Sequence, residues 1–507
     1  MVKYCISEII ILSCLNLMEG KMKKKICDFF KVSEKGSSFR VEIIAGIVTF
    51  LSMSYILTLN PSLITGDRSQ TGPLWASVFI ATALGAIVGT ALMAFVAKMP
   101  LAQAPGLGLN SMVGGLIGAS MSLGFKVSFG NAMLLVFISG IIFLLLSVIK
   151  IKGVSIREKI FDGIPVSIRS AISVGIGLFI AFIGLVNAGI IVPGNGTLVS
   201  LVQFNNYDNF PSAAIVLIFG LFCIAILEHF KVKGAVIIGI ILATLLGIPL
   251  GVTKYSGMSW KFWEYFANFF SMEPEKGGTF FALFTEGFDW VPEATIMPCI
   301  MTVISFSMID MFDTMGTVVG CASAAGLMDE NGKPQSYEGI MLSDSVATCA
   351  GAVFGTSTVT TFVESGSGVA AGGRTGLTAL STTICFCLAI FLMPLIASIP
   401  SAAASCALVY VGCLMLKGAK NLKMDSIKET VPAFLTIALM PLSYSITNGI
   451  GFGILSYVFI EIVLYVVESI LYAINKEKHE KPKWEISVIC LIVAALFLIY
   501  FFVPTVF

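Results

Sequence analysis

Histidine is almost missing from this chain: its 507 residues contain two, His229 and His479. Its twelve cysteines include no C-x-x-C pair, and Cys349, Cys385, Cys387 and Cys406 sit in apolar runs as small packing residues. Zinc and haem need clustered ligands at fixed spacing, so no metal and no other cofactor is expected. Charge is scarce too, at 12%, and a net charge of +1 leaves no basic footprint for nucleic acid. GVAAGG lacks the βαβ context of a phosphate loop, and no nucleophile stands with a base beside it, which argues against an enzyme. The short alternating segments of a membrane β-barrel are also absent. The opening MVKYCISEIIILSCLNLMEGKMKKK has no small-residue cleavage site and makes a poor signal peptide, while Met22 offers a second candidate start.

Long apolar runs fill the space these absences leave. The chain is 57% hydrophobic, with 39 Phe and 22 Met, and windows of the ~20 residues needed to cross a hydrocarbon core recur throughout. The fold class is therefore an all-α polytopic membrane protein. Breaks at Gly, Pro and charge divide it into candidate spans near 41–60, 75–98, 101–121, 131–149, 168–187, 211–229 and 233–251. A second series lies near 296–320, 341–356, 358–374, 376–396, 401–416, 431–447 and 449–471. Basic clusters (KMKKK; Lys150, Lys152, Arg157, Lys159 and Arg169; Lys417, Lys420, Lys423 and Lys428; Lys476, Lys478, Lys481 and Lys483) all fall on one side of this count. By the positive-inside rule residues 1–40 are then cytoplasmic and loop 252–295 is extracellular. Residues 472–507 form a basic linker and an apolar segment, which is either a fifteenth crossing or a piece that lies along the bundle or re-enters.

The two series repeat each other. ATALGAIVGT at 81–90 and ATCAGAVFGT at 347–356 share six residues at matching positions, 266 residues apart. Residues 41–251 and 296–471 are thus two repeats of seven spans, and an odd number forces the second into the opposite orientation. After each motif comes a broken, polar segment: MPLAQAPGLGLNSMVGG (99–115), and GTSTVTTFVESGSGVAAGGRTGLTA (355–379), with six Gly, six Thr and three Ser. Irregular backbone at membrane depth is tolerated where it lines a cavity or is buried in protein, and paired broken segments point to a midplane substrate site.

Four acids interrupt the second half: Asp310, Asp313, Asp344 and Glu364. A carboxylate at the bilayer centre costs at least ~2.5–3.5 kcal/mol, so each needs compensation. Asp344, near the start of its span, reads as a helix cap. Asp310 and Asp313 share one helix face and are either functional or bonded to Thr314 or Thr317. Glu364, beside a β-prone run and free backbone donors, suits a planar ligand with N–H groups on one edge. Arg374 either balances Glu364 or caps a helix. Asn110 offers donor and acceptor in the other broken segment, or an interhelical bond.

APGLGLN (104–110), SVGIGLFIAFIGLVNAGI (173–190), MIDMFDTMGTVVG (308–320), the 355–379 stretch and MPLSYSITNGIGFGILSY (440–457) resemble the AzgA-like purine permeases, a branch of the nucleobase-ascorbate transporter superfamily. The resemblance runs from about Arg40 to about Val467. It implies a core of spans 1–4 and 8–11 and a gate of spans 5–7 and 12–14, with short strands in broken spans 3 and 10 and substrate between them. It also implies that Glu364 binds the base, that Asp313 or Asp310 is the span-8 acid, and that Asn110 is the span-3 asparagine. Ser111 and Met112 depart from the family's usual aromatic or Ala residues.

The expectation is a transporter, not an enzyme: a plasma-membrane symporter taking up adenine, guanine or hypoxanthine with protons. Glu364, Asn110, Asp313, Thr361, Phe362, Gly366 and Gly108 would contact substrate, and Asp313, Asp310 and Glu364 are the proton-coupling candidates. The partners are then a purine, the proton and the lipid bilayer, and a homodimer is left open. The alternative is a sulfate- or bicarbonate-type anion carrier on the same architecture, which Glu364 disfavours because anion sites draw on positive groups.

Overall fold

The computed structural model describes residues 20–502 apart from 68–71, 119–126, 152, 195, 206–209, 233, 255–257, 259, 272–276, 291–295, 329–333, 423, 425 and 475–482. Residues 1–19 of the expected cytoplasmic N-terminal segment, Lys152, Lys423 and the linker lysines Lys476, Lys478 and Lys481 lie outside the described residues.

Helix α1 (Gly20–Phe29) precedes α2 (Phe39–Met53) and α3 (Ile56–Thr65), which share the first expected span. Next come α4 (Pro73–Leu92) with a π-helical turn at Met93–Ala97, β1 (Gln103–Pro105) with α5 (Leu107–Gly118), α6 (Phe129–Val148), α7 (Ile156–Gly163), α8 (Val166–Asn187), α9 (Ser212–His229) and α10 (Ala235–Gly247). Short helices α11 (Phe262–Phe269) and α12 (Ala282–Thr285) occupy the central loop. The second series is α13 (Ile296–Ala325), α14 (Tyr337–Phe354), β2 (Val359–Thr361) with α15 (Ser365–Ala370), α16 (Gly376–Ile390), α17 (Met393–Ile396), α18 (Ser401–Met415), α19 (Ile427–Leu442) and α20 (Ile446–Ile474). Helix or strand-plus-helix thus falls on every expected span. Eight described helices are long and apolar enough to cross a membrane, while α5, α10 and α16 are shorter apolar helices. Phe222, Phe459, Ile470 and similar residues keep their side chains exposed, as a lipid-facing surface requires.

The helices sort into two bundles. Helices α2–α6 and α13–α16 pack mainly on one another, and α8–α10 pack with α18–α20. Contacts between the bundles are sparse, chiefly α18 on α3, α10 on α2 and α13 on α8. Helix α21 (Val488–Phe502), in the C-terminal segment, packs on α20, α13 and α7.

Strands β1 and β2 pair antiparallel in the first bundle, with Gln103 opposite Thr361, Ala104 opposite Thr360 and Pro105 opposite Val359. Antiparallel pairing of equivalent strands is what an inverted repeat produces, and the repeated motif makes it fit. A Cβ on Gly85 or Gly351 would lie 3.2 or 2.8 Å from Val359 Cγ2. The motif threonines also carry parallel duties: Asn60 donates to Thr82 Oγ1 at 2.6 Å in the first repeat, and Thr348 donates to Asp310 Oδ2 at 3.2 Å in the second.

Candidate functional site

A cavity of about 190 Å³ lies where the bundles meet. Tyr55, Leu107, Asp313, Thr317, Thr361, Phe362, Val363 and Glu364 line it from the first bundle, and Ser173, Ile180, Val411, Leu414, Met415 and Gly418 from the side of the second. Drug-sized ligands occupy pockets of ~300–1,000 Å³, so this one suits a single small molecule.

Glu364 lies three residues past the end of β2, at the N-cap position of α15, so the strand pair sets its place. Its side chain is nearly buried, and the Tyr55 phenol donates to Oε1. Tyr55 occupies the break between α2 and α3. Arg374 is not the partner of Glu364: its Nη1 donates to the Val369 and Gly373 carbonyls, both at 2.7 Å, and so caps the end of α15. Of the two readings of Arg374, the structure has helix capping. Thr375 caps the start of α16, accepting from Leu377 N at 3.3 Å, and Glu42 braces that turn by accepting from Arg374 N at 3.0 Å, Thr375 Oγ1 at 2.9 Å and Thr378 Oγ1 at 2.6 Å.

The other expected residues divide. Asp313, Thr361 and Phe362 share the cavity wall with Glu364. Asn110 is fully buried off the wall, donating to the Pro105 carbonyl at 3.2 Å and accepting from Ser357, so it fastens α5 to the strand pair. Gly108 faces the second bundle, where a Cβ would come within 2.9 Å of Ile446 Cδ1. Gly366 stands in the turn after Glu364 and donates to the Val363 carbonyl at 2.9 Å. Several backbone donors of the 361–366 stretch are likewise used within the protein: Thr361 N–H bonds Thr314 Oγ1, Phe362 N–H bonds the Ala102 carbonyl, and Ser365 N–H bonds the Phe362 carbonyl.

Behind the wall lies a charge cluster that corrects two expectations. Asp344 does not cap a helix: α14 begins at Tyr337, two turns earlier, and Asp344 is fully buried. Its Oδ2 pairs with Arg157 Nη2 at 2.8 Å, and its Oδ1 accepts from Thr314 Oγ1 at 2.8 Å and Gln103 Nε2 at 3.2 Å. Arg157, read from sequence as a basic residue of the loop after span 4, is completely buried with its guanidinium 3.5 Å from the Phe143 ring centre. The reason is mutual, since a buried carboxylate needs a counter-charge and Arg157 on α7 supplies it. Asp310 adjoins the cluster, bonded to Thr348 rather than to Thr314 or Thr317, and Asp310 Oδ1 has no partner among the described residues.

The wall therefore carries two carboxylates, a phenol and an aromatic ring, and no cation among the described residues. Such a wall offers hydrogen-bond acceptors to a ligand that carries N–H or O–H donors.

A model of the Permease family matches residues 40–452. The chain belongs to that family. Members of the Permease family carry solutes across membranes, and the resemblance read from the motifs is thereby confirmed. This permease is 37% identical over 429 residues to the adenine permease AdeP of Escherichia coli (strain K12), covering 84% of this chain and 88% of that one. It is 38% identical over 437 residues to the guanine/hypoxanthine permease PbuG of Bacillus subtilis (strain 168), covering 85% and 92%. Among solved structures, its fold is similar to the transmembrane domain of the cyanobacterial bicarbonate transporter BicA, with TM-score 0.55, 14% identity, and 82% and 97% of the two chains covered. It is also similar to SLC26A9, with TM-score 0.58, 11% identity, and 88% and 69% covered. The fold is thus shared with transporters of the bicarbonate and SLC26 type.

Sequence reasoning missed Tyr55, Arg157 and Glu42. For Glu42 a signal existed, an acid inside the apolar run of span 1. Tyr55 and Arg157 are ordinary in their local sequence and acquire meaning only from partners 309 and 187 residues away.

Proposed function

We propose that this permease takes up purine nucleobases across the plasma membrane, coupled to protons. The observation that carries the reading is Glu364: a carboxylate with no cationic partner among the described residues, just past a strand, in a small cavity between two weakly joined bundles. Purines present N–H donors along a planar edge, which Glu364 Oε2 can accept while Phe362 and the apolar residues of the second bundle face the ring. The relatives named as adenine and guanine/hypoxanthine permeases support the same class. An anion would meet Glu364 and Asp313 with no compensating charge among the described residues of the wall.

Asp313 is the proposed proton carrier. It shares the cavity wall with Glu364, where a proton and a base could be taken up together. Asp310, off the wall, is the second candidate. Asn110 and Gly108 would act through the strand pair and the bundle contact they hold. Glu364→Gln should abolish uptake of labelled adenine, guanine and hypoxanthine while membrane abundance stays at the wild-type level. Wild-type rates in that variant, or competition by sulfate rather than by unlabelled bases, would reject the assignment.

A further inference from the structure

Among the described residues, Tyr55 is the one neutral side-chain donor bonded to the Glu364 carboxylate, and it arrives from the first half of the chain. Its place in the helix break between Met53 and Ile56 turns the ring towards the cavity, where it shares the wall with Glu364. The side chain is 2% exposed, so its hydroxyl has little access to water and must find a protein partner. That partner is Glu364 Oε1. Arg374, the nearest basic residue in sequence, is committed to the Val369 and Gly373 carbonyls and does not compete.

This arrangement has a consequence for ligand binding. A free carboxylate can turn about its last torsion and offer either oxygen, whereas a phenol fixed on Oε1 holds the group in one orientation and leaves Oε2 as the acceptor for a ligand.

We propose that Tyr55 is a substrate-positioning residue of this permease, fixing the Glu364 carboxylate for the incoming base; this rests on the purine reading above. It acts through Glu364, so its loss should weaken binding more than it slows translocation. The test is uptake of labelled adenine, guanine and hypoxanthine by cells expressing the full chain, normalised to membrane abundance. Tyr55→Phe, which removes one oxygen and keeps the ring, should raise KM about 10- to 100-fold, the worth of one charge-assisted hydrogen bond, with Vmax within about twofold. Tyr55→His, which keeps a ring N–H donor, should lie nearer the wild type. An unchanged KM in Tyr55→Phe overturns the proposal, as do equal KM losses in both variants. Should Tyr55→Phe not reach the membrane, Tyr55→His decides alone: a lowered Vmax at unchanged KM overturns the proposal, and a moderately raised KM at unchanged Vmax supports it. If the wild type takes up none of the three bases, the purine reading itself falls; if it does and only the variant results disagree, Tyr55 alone is misassigned.

Discussion

At the scale of single residues, the heaviest demand on this molecule is the buried pair Arg157–Asp344. Both side chains are fully buried, and the guanidinium also rests on Phe143. Removing one partner strands the other's charge in a low-dielectric interior, at a cost of ~3–5 kcal/mol. Arg157→Leu should therefore deplete the protein from membranes and lower the thermal unfolding midpoint of the purified chain. Arg157→Leu combined with Asp344→Asn should recover most of both, because no lone charge remains. A single variant as stable as the wild type would show that the pair contributes nothing. This pair was illegible from sequence for a physical reason. Basic residues in short loops normally mark the cytoplasmic side, and Arg157 sits among several that do. Only the fold of α7 back onto the first bundle distinguishes it from its neighbours. Asp344 was misread for a related reason, because its distance from the helix start depended on a boundary that hydropathy placed several residues late.

Among elements, the strand pair sets the tolerances. Gly351 lies where α14 passes the crossing strands, and a Cβ there would be 2.8 Å from Val359 Cγ2 and 2.9 Å from the Ser357 carbonyl. Gly351→Ala should thus destabilise the purified protein by about 1–3 kcal/mol through overpacking. Gly115→Ala, on α5 with nothing within 4 Å of the new methyl, should be neutral or slightly stabilising. Equal unfolding midpoints for the two variants would show that the contact yields freely. The broken elements themselves were legible, since Gly, Pro and Thr interrupt two apolar runs at corresponding places after a repeated motif. Their pairing register was not, because three residues per strand carry too little pattern to specify one.

For the whole molecule, hydropathy was sufficient to recognise a helical polytopic membrane protein and to place its apolar helices, since each is one uninterrupted or once-interrupted apolar run. The division into two bundles was legible only through family likeness; in the structure it appears as dense packing within each set and few contacts between. That division places the cavity at a joint, where relative motion of the bundles would expose it to either side. If protons drive that motion, purine uptake into energised membrane vesicles should rise with an inwardly directed proton gradient and collapse when an ionophore dissipates it. Uptake indifferent to the gradient would exclude proton coupling while leaving the purine assignment in place.

The pairing of β1 with β2 also imposes an order of events on biosynthesis. Gln103 and Thr361 are 258 residues apart, so at ~5–20 residues per second the first strand leaves the ribosome roughly 10–50 s before its partner exists. Through that interval the backbone of Gln103–Pro105 has no strand beside it inside a membrane, where unpaired amides are costly. The first half of the chain is therefore unfinished rather than an independent module, and the nascent chain must shelter that segment until the second half arrives to close it.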